Sequence, residues 1–302
     1  MPDLTARQLH AVLSVVEYGS FIAAAAFLQT SQPALTRTIK RVEDVLGVRL
    51  FDRTTRRVEI TIAGREFVSV AERMLNDLRI SVRSMREIGD QQRGQVIISS
   101  IMSVANSVLP QFVASYRANR PAVELHVREG VHGAVLEDVR SGVADLGITY
   151  VDDVPDFVAA TRIRREVFDI ILPRAHPLLR ARKRREVVLT EIAEFPLVSF
   201  PSDSRTRRML DATATSMGMS LQHAVTVTQF ATMMSFVRAG VGLAIVPTGA
   251  LAGFPSRWLT VLKLTKPRLS HHLGIIRLRD RELTPVASGF YDLLQQKWRE
   301  VD

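Results

Sequence analysis

A chain of 302 residues with 46% apolar and 24% charged side chains has the composition of an ordinary globular protein, long enough for two or three domains. It contains no cysteine, which excludes a disulfide framework, a thiolate zinc site and a cysteine nucleophile. The net charge of +9 invites a polyanionic partner, yet residues 1–93 hold 14 Lys+Arg against 11 Asp+Glu, so the excess is not gathered at the amino terminus and a nucleic-acid argument must rest on pattern.

Asp3, Arg7 and Glu17 interrupt the amino-terminal segment, so no signal-peptide core is visible. No stretch approaches the roughly 20 apolar residues of a membrane span. A cytoplasmic protein with no membrane partner is therefore expected. Leu9, Val12, Leu13 and Val16 recur at helical spacing, with Thr5 and Gln8 suited to a capping box and Gly19 to a stop. Ser20 can cap a second, short helix whose Phe21, Ala24, Ala25 and Leu28 share one face, and whose alanines allow close packing. After a break at Gln29, Thr30 and Ser31, Pro33 falls in the first turn of a third helix, where its missing N–H costs nothing. Leu35, Ile39, Val42 and Leu46 form that helix's apolar face, and Gly47 ends it. The segment Val48 to Thr61 is β-prone at both ends and basic between, which predicts a two-stranded hairpin with Arg56 and Arg57 near its tip.

From Ile62 to Ile88 the helical pattern resumes. Ala71, Met74, Leu78, Met85 and Ile88 fall on a heptad seam, with Ser81 its polar member and Leu75 and Val82 widening it. A helix of about 40 Å cannot bury such a stripe against the small domain before it. It calls for a partner helix, most simply from a second chain, and so for a homodimer. Beyond residue 94, strands and helices alternate: Val96–Ser100, Val123–Val127, Asp145–Tyr150, Phe168–Leu172, Pro196–Phe200, Ala224–Thr228, Gly242–Pro247 and His272–Leu278 read as strands. Repeated βα units predict parallel-rich sheets in two small α/β lobes, with ligands at the carboxyl ends of strands beside helix amino termini.

Two short helices, a tight break, a third helix and a basic hairpin make a winged helix-turn-helix, in which the third helix can lie in the DNA major groove. At 100° per residue, Leu35, Ile39, Val42 and Leu46 cluster within about 40°, while Pro33, Arg37 and Lys40 lie opposite, flanked by Gln32 and Thr36. Gln and Arg can read base edges bidentately, and Thr and Lys suit phosphates or a thymine methyl. A solvated face on any three-helix domain would show the same amphipathicity; the helix spacing and the basic hairpin after it favour the DNA reading.

These residues also carry a family resemblance. The stretch Ser20 to Gly64 resembles the amino-terminal signature of LysR-type transcriptional regulators at Ser20, Ala24-Ala25, Leu28, Ser31-Gln32-Pro33-Ala34, Arg37, Ile39, Glu43, Leu46-Gly47, Leu50-Phe51, Arg53, Thr61 and Ala63-Gly64. It departs at Thr36, where serine is usual, and at Val42, where leucine is usual. A weaker resemblance continues through SSIMSVANSVLPQFVASYRANRPAVELHVREG, LEDVRSGVADLGITY, FPLVSF and QFATMMSFVRAGVGLAIVP. The resemblance implies a winged helix-turn-helix over 1–61, a linker and dimerisation helix over 62–93, and an effector-binding domain over 94–302. That last domain would fold like a periplasmic binding protein, with lobes of 94–162 plus 268–302 and of 163–267. Double-stranded promoter DNA is the implied partner, and a homotetramer and RNA polymerase are further implied partners. Ser31, Gln32, Pro33, Thr36, Arg37 and Lys40 would meet the major groove, and Arg53, Thr54, Arg56 and Arg57 the flanking backbone or minor groove. Matching positions put the effector cleft at Ser99, Ser100, Ile101 and Met102, at Glu129 and Gly130, at Ser199, Phe200, Pro201 and Ser202, and at Thr228 and Gln229. Hydroxyls and helix amino termini there suit a small carboxylate, although Ser99, Ser100 and Thr228 have helix capping as an equal explanation.

The remaining motifs do not assemble a catalytic set. Seven histidines show no metal-ligand spacing, and neither a dinucleotide fingerprint, a phosphate loop nor a nucleophile elbow appears. The run Arg180 to Val187 reads as a solvated loop. The expectation is therefore a regulator that is not an enzyme, with no cofactor and no metal. The alternative is a metabolite-binding module or receptor without a regulatory DNA role.

Overall fold

The computed structural model describes residues 3–53, 58–87, 93–179, 185–253 and 259–301. The chain divides into two compact units, residues 1–89 with 140–143 and residues 90–139 with 144–302. The charged run from Arg180 lies outside the described residues as far as residue 184.

In the first unit, α1 (Ala6–Tyr18) begins at a reciprocal Thr5–Gln8 capping box and ends at Gly19 with φ of 59°. Ser20 caps α2 (Phe21–Phe27), and Ser31 caps α3 (Gln32–Leu46), each by accepting an N–H from the third residue on. Between them the chain turns through Gln29, whose φ is 51°. Gly47 at φ of 71° stops α3. The two strands β1 (Phe51–Arg53) and β2 (Val58–Ile60) pair antiparallel, Phe51 opposite Ile60. Next comes α4 (Ile62–Glu87).

Ala11, Val12, Val15, Phe21, Ala24, Ala25, Leu35, Ile39, Val42, Leu50 and Phe51 form the core of this unit. Val15 occupies the centre of the α1 face, and Leu13 and Val16 sit at its half-buried margins. Several residues of the amino-terminal signature hold this core rather than any ligand. The Glu43 carboxylate accepts N–H bonds from Leu50 (2.8 Å) and Phe51 (3.3 Å), fastening α3 to the hairpin. Thr61 donates to the Arg49 carbonyl (2.8 Å) and accepts from the Gly64 N–H (2.9 Å). Gly64 itself sits so close to the Leu50 carbonyl that a Cβ would collide with backbone. On α4, Ala71 is buried while Val70, Met74, Leu78, Val82 and Met85 remain exposed, so the described residues leave the apolar stripe uncovered. Ile88, the last expected member of the seam, lies outside the described residues.

The second unit starts with β3 (Gly94–Ile101), α5 (Met102–Ala105), α6 (Leu109–Asn119), β4 (Val123–Gly130), α7 (His132–Arg140) and β5 (Leu146–Tyr150). It continues through β6 (Val158–Pro173), β7 (Glu186–Val188), α8 (Leu189–Ile192), β8 (Leu197–Ser199), α9 (Arg205–Ser216), β9 (His223–Thr226) and α10 (Phe230–Arg238). The last elements are β10 (Ala244–Pro247), β11 (Leu259–Lys266), β12 (Ser270–Leu278) and α11 (Pro285–Val301).

The strands β4-β3-β5-β12-β6-β11-β7 run in one path, with β10 also on β6 and β8 beside β9. The expectation of parallel-rich sheets needs correcting. The sheets are mixed: β3 pairs parallel with β4 and β5, β11 with β7 and β8 with β9, but β12 pairs antiparallel with β5 and β6, and β10 and β11 pair antiparallel with β6. The reason is the 16-residue β6, which serves two neighbourhoods: Val158–Val167 pairs with β12, and Phe168–Pro173 with β10 and β11. Only its apolar second half was legible as a strand. The carboxy-terminal α11 closes the core beside β3, where Trp298 meets Phe112 edge-on at 5.0 Å and Tyr116 meets Phe290 at 5.1 Å. The Tyr116 hydroxyl donates to the Val286 carbonyl at 2.6 Å, satisfying the one polar atom that burial of this ring carries inward.

Candidate functional site

The first candidate site is the outer face of α3. Because Leu35, Ile39 and Val42 are buried, the 3.6-residue period turns Gln32, Pro33, Arg37 and Lys40 outward, and all four are exposed. Thr36 is half-buried at the edge of that face, and Ser31 is exposed with its hydroxyl engaged as the helix cap. Beside the face runs a broad groove of about 760 Å³ whose walls include Arg7 and Gln8 of α1, Thr30, Arg37, Thr38 and Arg41. Arg7, Thr30 and Arg41 were not among the expected contacts; Arg41, one turn beyond Arg37, is the one the helical period could have supplied. Among the hairpin residues, Arg53 ends β1 opposite Val58, while Thr54, Arg56 and Arg57 lie outside the described residues.

The second candidate site is a cleft in the second unit with a cavity of about 60 Å³, roughly the room of four ordered waters. Its lining combines Ile101, Met102, Val131, Phe200, Phe230 and Pro247 with Ser103, His132, Tyr150, Ser204, Arg205 and Thr206, and Gly130 completes it. These residues meet because strand ends deliver helix starts to one place: His132 opens α7, Arg205 and Thr206 open α9, and Phe230 opens α10. The partial positive charge of those three helix ends favours an anion.

Hydrogen bonding fixes the polar members. Arg205 Nη1 donates to His132 Nε2 at 3.3 Å, and His132 Nδ1 lies 2.9 Å from the hydroxyl of fully buried Thr149. A guanidinium has only donors, so Nε2 accepts, and the proton resides on Nδ1 for donation to Thr149. Burial, and then the Arg205 charge, lower the His132 pKa to about 4, which keeps the ring neutral near pH 7. Burial pushes the Tyr150 phenol well above its usual range, so it stays protonated. The His271 ring packs against that of Tyr150, tilted by 39° with centroids 4.7 Å apart. Although strand alternation separates His271 from His272, both rings reach one carboxylate, that of Asp152, at 3.2 and 2.6 Å.

Residues 6–65 match the model of bacterial regulatory helix-turn-helix proteins of the lysR family, and residues 89–299 match that of the LysR substrate binding domain. The chain belongs to the LysR family. It is a LysR-type DNA-binding transcriptional regulator with an effector-binding domain. Among its relatives, the uncharacterised regulator YbhD of Escherichia coli is 28% identical over 97% of this chain and 91% of its own length. Full-length CbnR complexed with its target DNA has the same fold at a TM-score of 0.72, covering 97% of this chain and 99% of CbnR at 20% identity. The effector binding domain of QuiR in complex with shikimate aligns at a TM-score of 0.62, covering 69% of this chain and 98% of that domain at 15% identity.

In this LysR regulator the expected effector residues fall into two groups. Ile101, Met102, Gly130 and Phe200 line the cleft. The others do not. Ser99 donates to Asp138 (2.7 Å) and Ser100 to the Ile101 carbonyl (3.1 Å), both buried. Glu129, Ser202, Thr228 and Gln229 are exposed, and Pro201 is half-buried outside the lining. Gln229 is the N-cap of α10 without a side-chain capping bond. Ser199 lies 2.6 Å from His223 Nδ1, whose Nε2 lies 2.9 Å from Asp211, and Asp211 in turn holds Arg207 at 2.7 Å. This serine, histidine and aspartate array is a fastening of β8, β9 and α9. Ser199 is buried, and the free volume beside it is about 10 Å³, less than one water and far less than an acyl group. Sequence reasoning missed Ser103, Val131, His132, Tyr150, Ser204, Arg205, Thr206, Phe230 and Pro247. The signal for the most consequential of them was local: Arg205 stands directly after the serine that caps α9.

Proposed function

We propose that this regulator binds promoter or operator DNA as a homodimer joined through α4, with α3 in the major groove and the hairpin on the flanking backbone or minor groove. A small effector, most simply a carboxylate, would occupy the cleft and bias DNA affinity or DNA bending. The observation that carries the reading is the division of α3 into an apolar side with Leu35, Ile39 and Val42 buried and an exposed Gln32, Pro33, Arg37 and Lys40 side, bordered by a groove that Arg7, Thr30, Thr38 and Arg41 also line. The complex of CbnR with its target DNA supports the DNA role, and that of the QuiR domain with shikimate supports a small-molecule effector.

The exposed Val70, Met74, Leu78, Val82 and Met85 stripe on α4 supports the homodimer. Association into a homotetramer, contact with RNA polymerase, a cytoplasmic location and the division into 1–61, 62–93 and 94–302 belong to the same proposal. Footprinting on the DNA flanking the protein's own gene tests it. A protected pair of dyad-related half-sites at moderate salt is expected, with affinity falling steeply as salt rises. Protection without dyad symmetry, or none at moderate salt, would contradict the reading.

A further inference from the structure

The charges around the cleft do not balance. Among the described residues its lining contains one cation, Arg205, and neither an aspartate nor a glutamate. Of the neighbouring charged groups, Arg207 pairs with Asp211 at 2.7 Å and Arg164 with buried Glu166 at 3.0 Å, while Asp153 and Arg208 act on His132 from outside the lining. Arg208 is exposed and turns back to the Asp203 carbonyl. Arg205 instead spends Nη1 on His132, whose second nitrogen is committed to Thr149, so the imidazole orients the guanidinium without neutralising it. Its Nε is buried and has no hydrogen-bond partner among the described residues. A buried donor without an acceptor, on a cation set among apolar walls, is costly, and an anion beside the guanidinium offsets the charge.

We propose that the effector is a compact monocarboxylate with an apolar body, its carboxylate anchored on the guanidinium of Arg205. This rests on the reading of the cleft as the effector site. A guanidinium suits carboxylate pairing, and the start of α9 adds its dipole to the same anion. Ile101, Met102, Val131, Phe200, Phe230 and Pro247 would cover the rest of the ligand. A second carboxylate set against those walls would meet no second cation among the described lining residues, so dicarboxylates are disfavoured.

The test is the melting temperature of the full-length protein, at constant ionic strength, with butanoate or benzoate, with butanamide or benzamide, and with succinate or phthalate. The monocarboxylates should raise Tm by about 2 °C or more in wild type, the amides and dicarboxylates should not, and Arg205→Gln should abolish the response. Ligand-free Arg205→Gln should melt above wild type, since the unmatched charge is gone while an N–H donor remains. Amides or dicarboxylates that stabilise as well as the acids would overturn the monocarboxylate assignment while leaving the cleft in place. No preference for the acids, together with a ligand-free variant that melts below wild type, would overturn it by making Arg205 a structural residue. A response to the acids that survives both Arg205→Gln and Phe230→Ala would put the ligand elsewhere and sink the cleft reading itself.

Discussion

The two sites of this regulator are built in opposite ways. The α3 face comes from one continuous 15-residue helix, and its polar side chains stand in water. The cleft gathers helix starts at His132, Arg205 and Phe230, and its polar groups are half-buried or buried. Each construction suits its ligand. Exposed cations on a rigid helix meet a polyanion through many screened contacts, individually weak and jointly salt-sensitive. A single cation among apolar walls meets one charge in a low-dielectric setting, where a mismatch is penalised. On the proposed assignment, affinity for DNA is spread over a surface and selectivity for the effector is concentrated on a few atoms.

That contrast can be broken most forcefully at the core of the first unit. Ile39 is fully buried under the α3 face, so Ile39→Ala should cost about 2–5 kcal/mol in unfolding experiments and abolish DNA binding. Next in size is acid sensitivity, which tests the buried site. With its pKa lowered from 6.5 to about 4 in the folded protein, His132 is neutral in both states above pH 6.5 and contributes a constant amount there. As pH falls from 6.5 toward 4 only the unfolded chain takes up the proton, so stability falls across that window. Burial lowers His271 and His223 as well, which adds in the same direction. Replacing His132 with Asn should flatten the decline measured by thermal melts between pH 7 and 4.5. Glu43→Gln should then cost about 1–2 kcal/mol by weakening the two N–H bonds that pin the hairpin to α3, and urea unfolding would register it. The smallest change is expected at exposed Lys40, where Ala should weaken DNA binding evenly across sequences and reduce the salt slope by about one phosphate contact.

Reading the sequence succeeded where one segment carries both the signal and its meaning. Thr5, Ser20, Ser31, Pro33, Gly19 and Gly47 mark the boundaries of α1 to α3 because capping is settled within a few residues. The exposed side of α3 followed from its period. The cleft was only partly legible, because its members lie far apart in the chain and their roles depend on what they meet. Ser99, Ser100 and Ser199 carry the hydroxyls that an effector site would need, yet each is committed to another group. Arg205 sits in the polar run Asp203 to Arg208 that reads as surface, and only the fold turns it toward Phe200 and Phe230. The first half of β6 was missed for a similar reason: its arginines look like a loop until β12 pairs with it. Gly64 needs its glycine because of a backbone approach from Leu50, which no local pattern reveals.

Equilibrium binding of wild-type and Arg37→Ala protein, at matched salt, to a footprinted operator and to a scrambled duplex bears most directly on whether α3 reads DNA. A loss of about 1–3 kcal/mol on the operator is predicted, roughly 5- to 150-fold in Kd, with a much smaller change on the scrambled duplex. Equal affinities for the operator in the two proteins, with the same preference over the scrambled sequence, would contradict it.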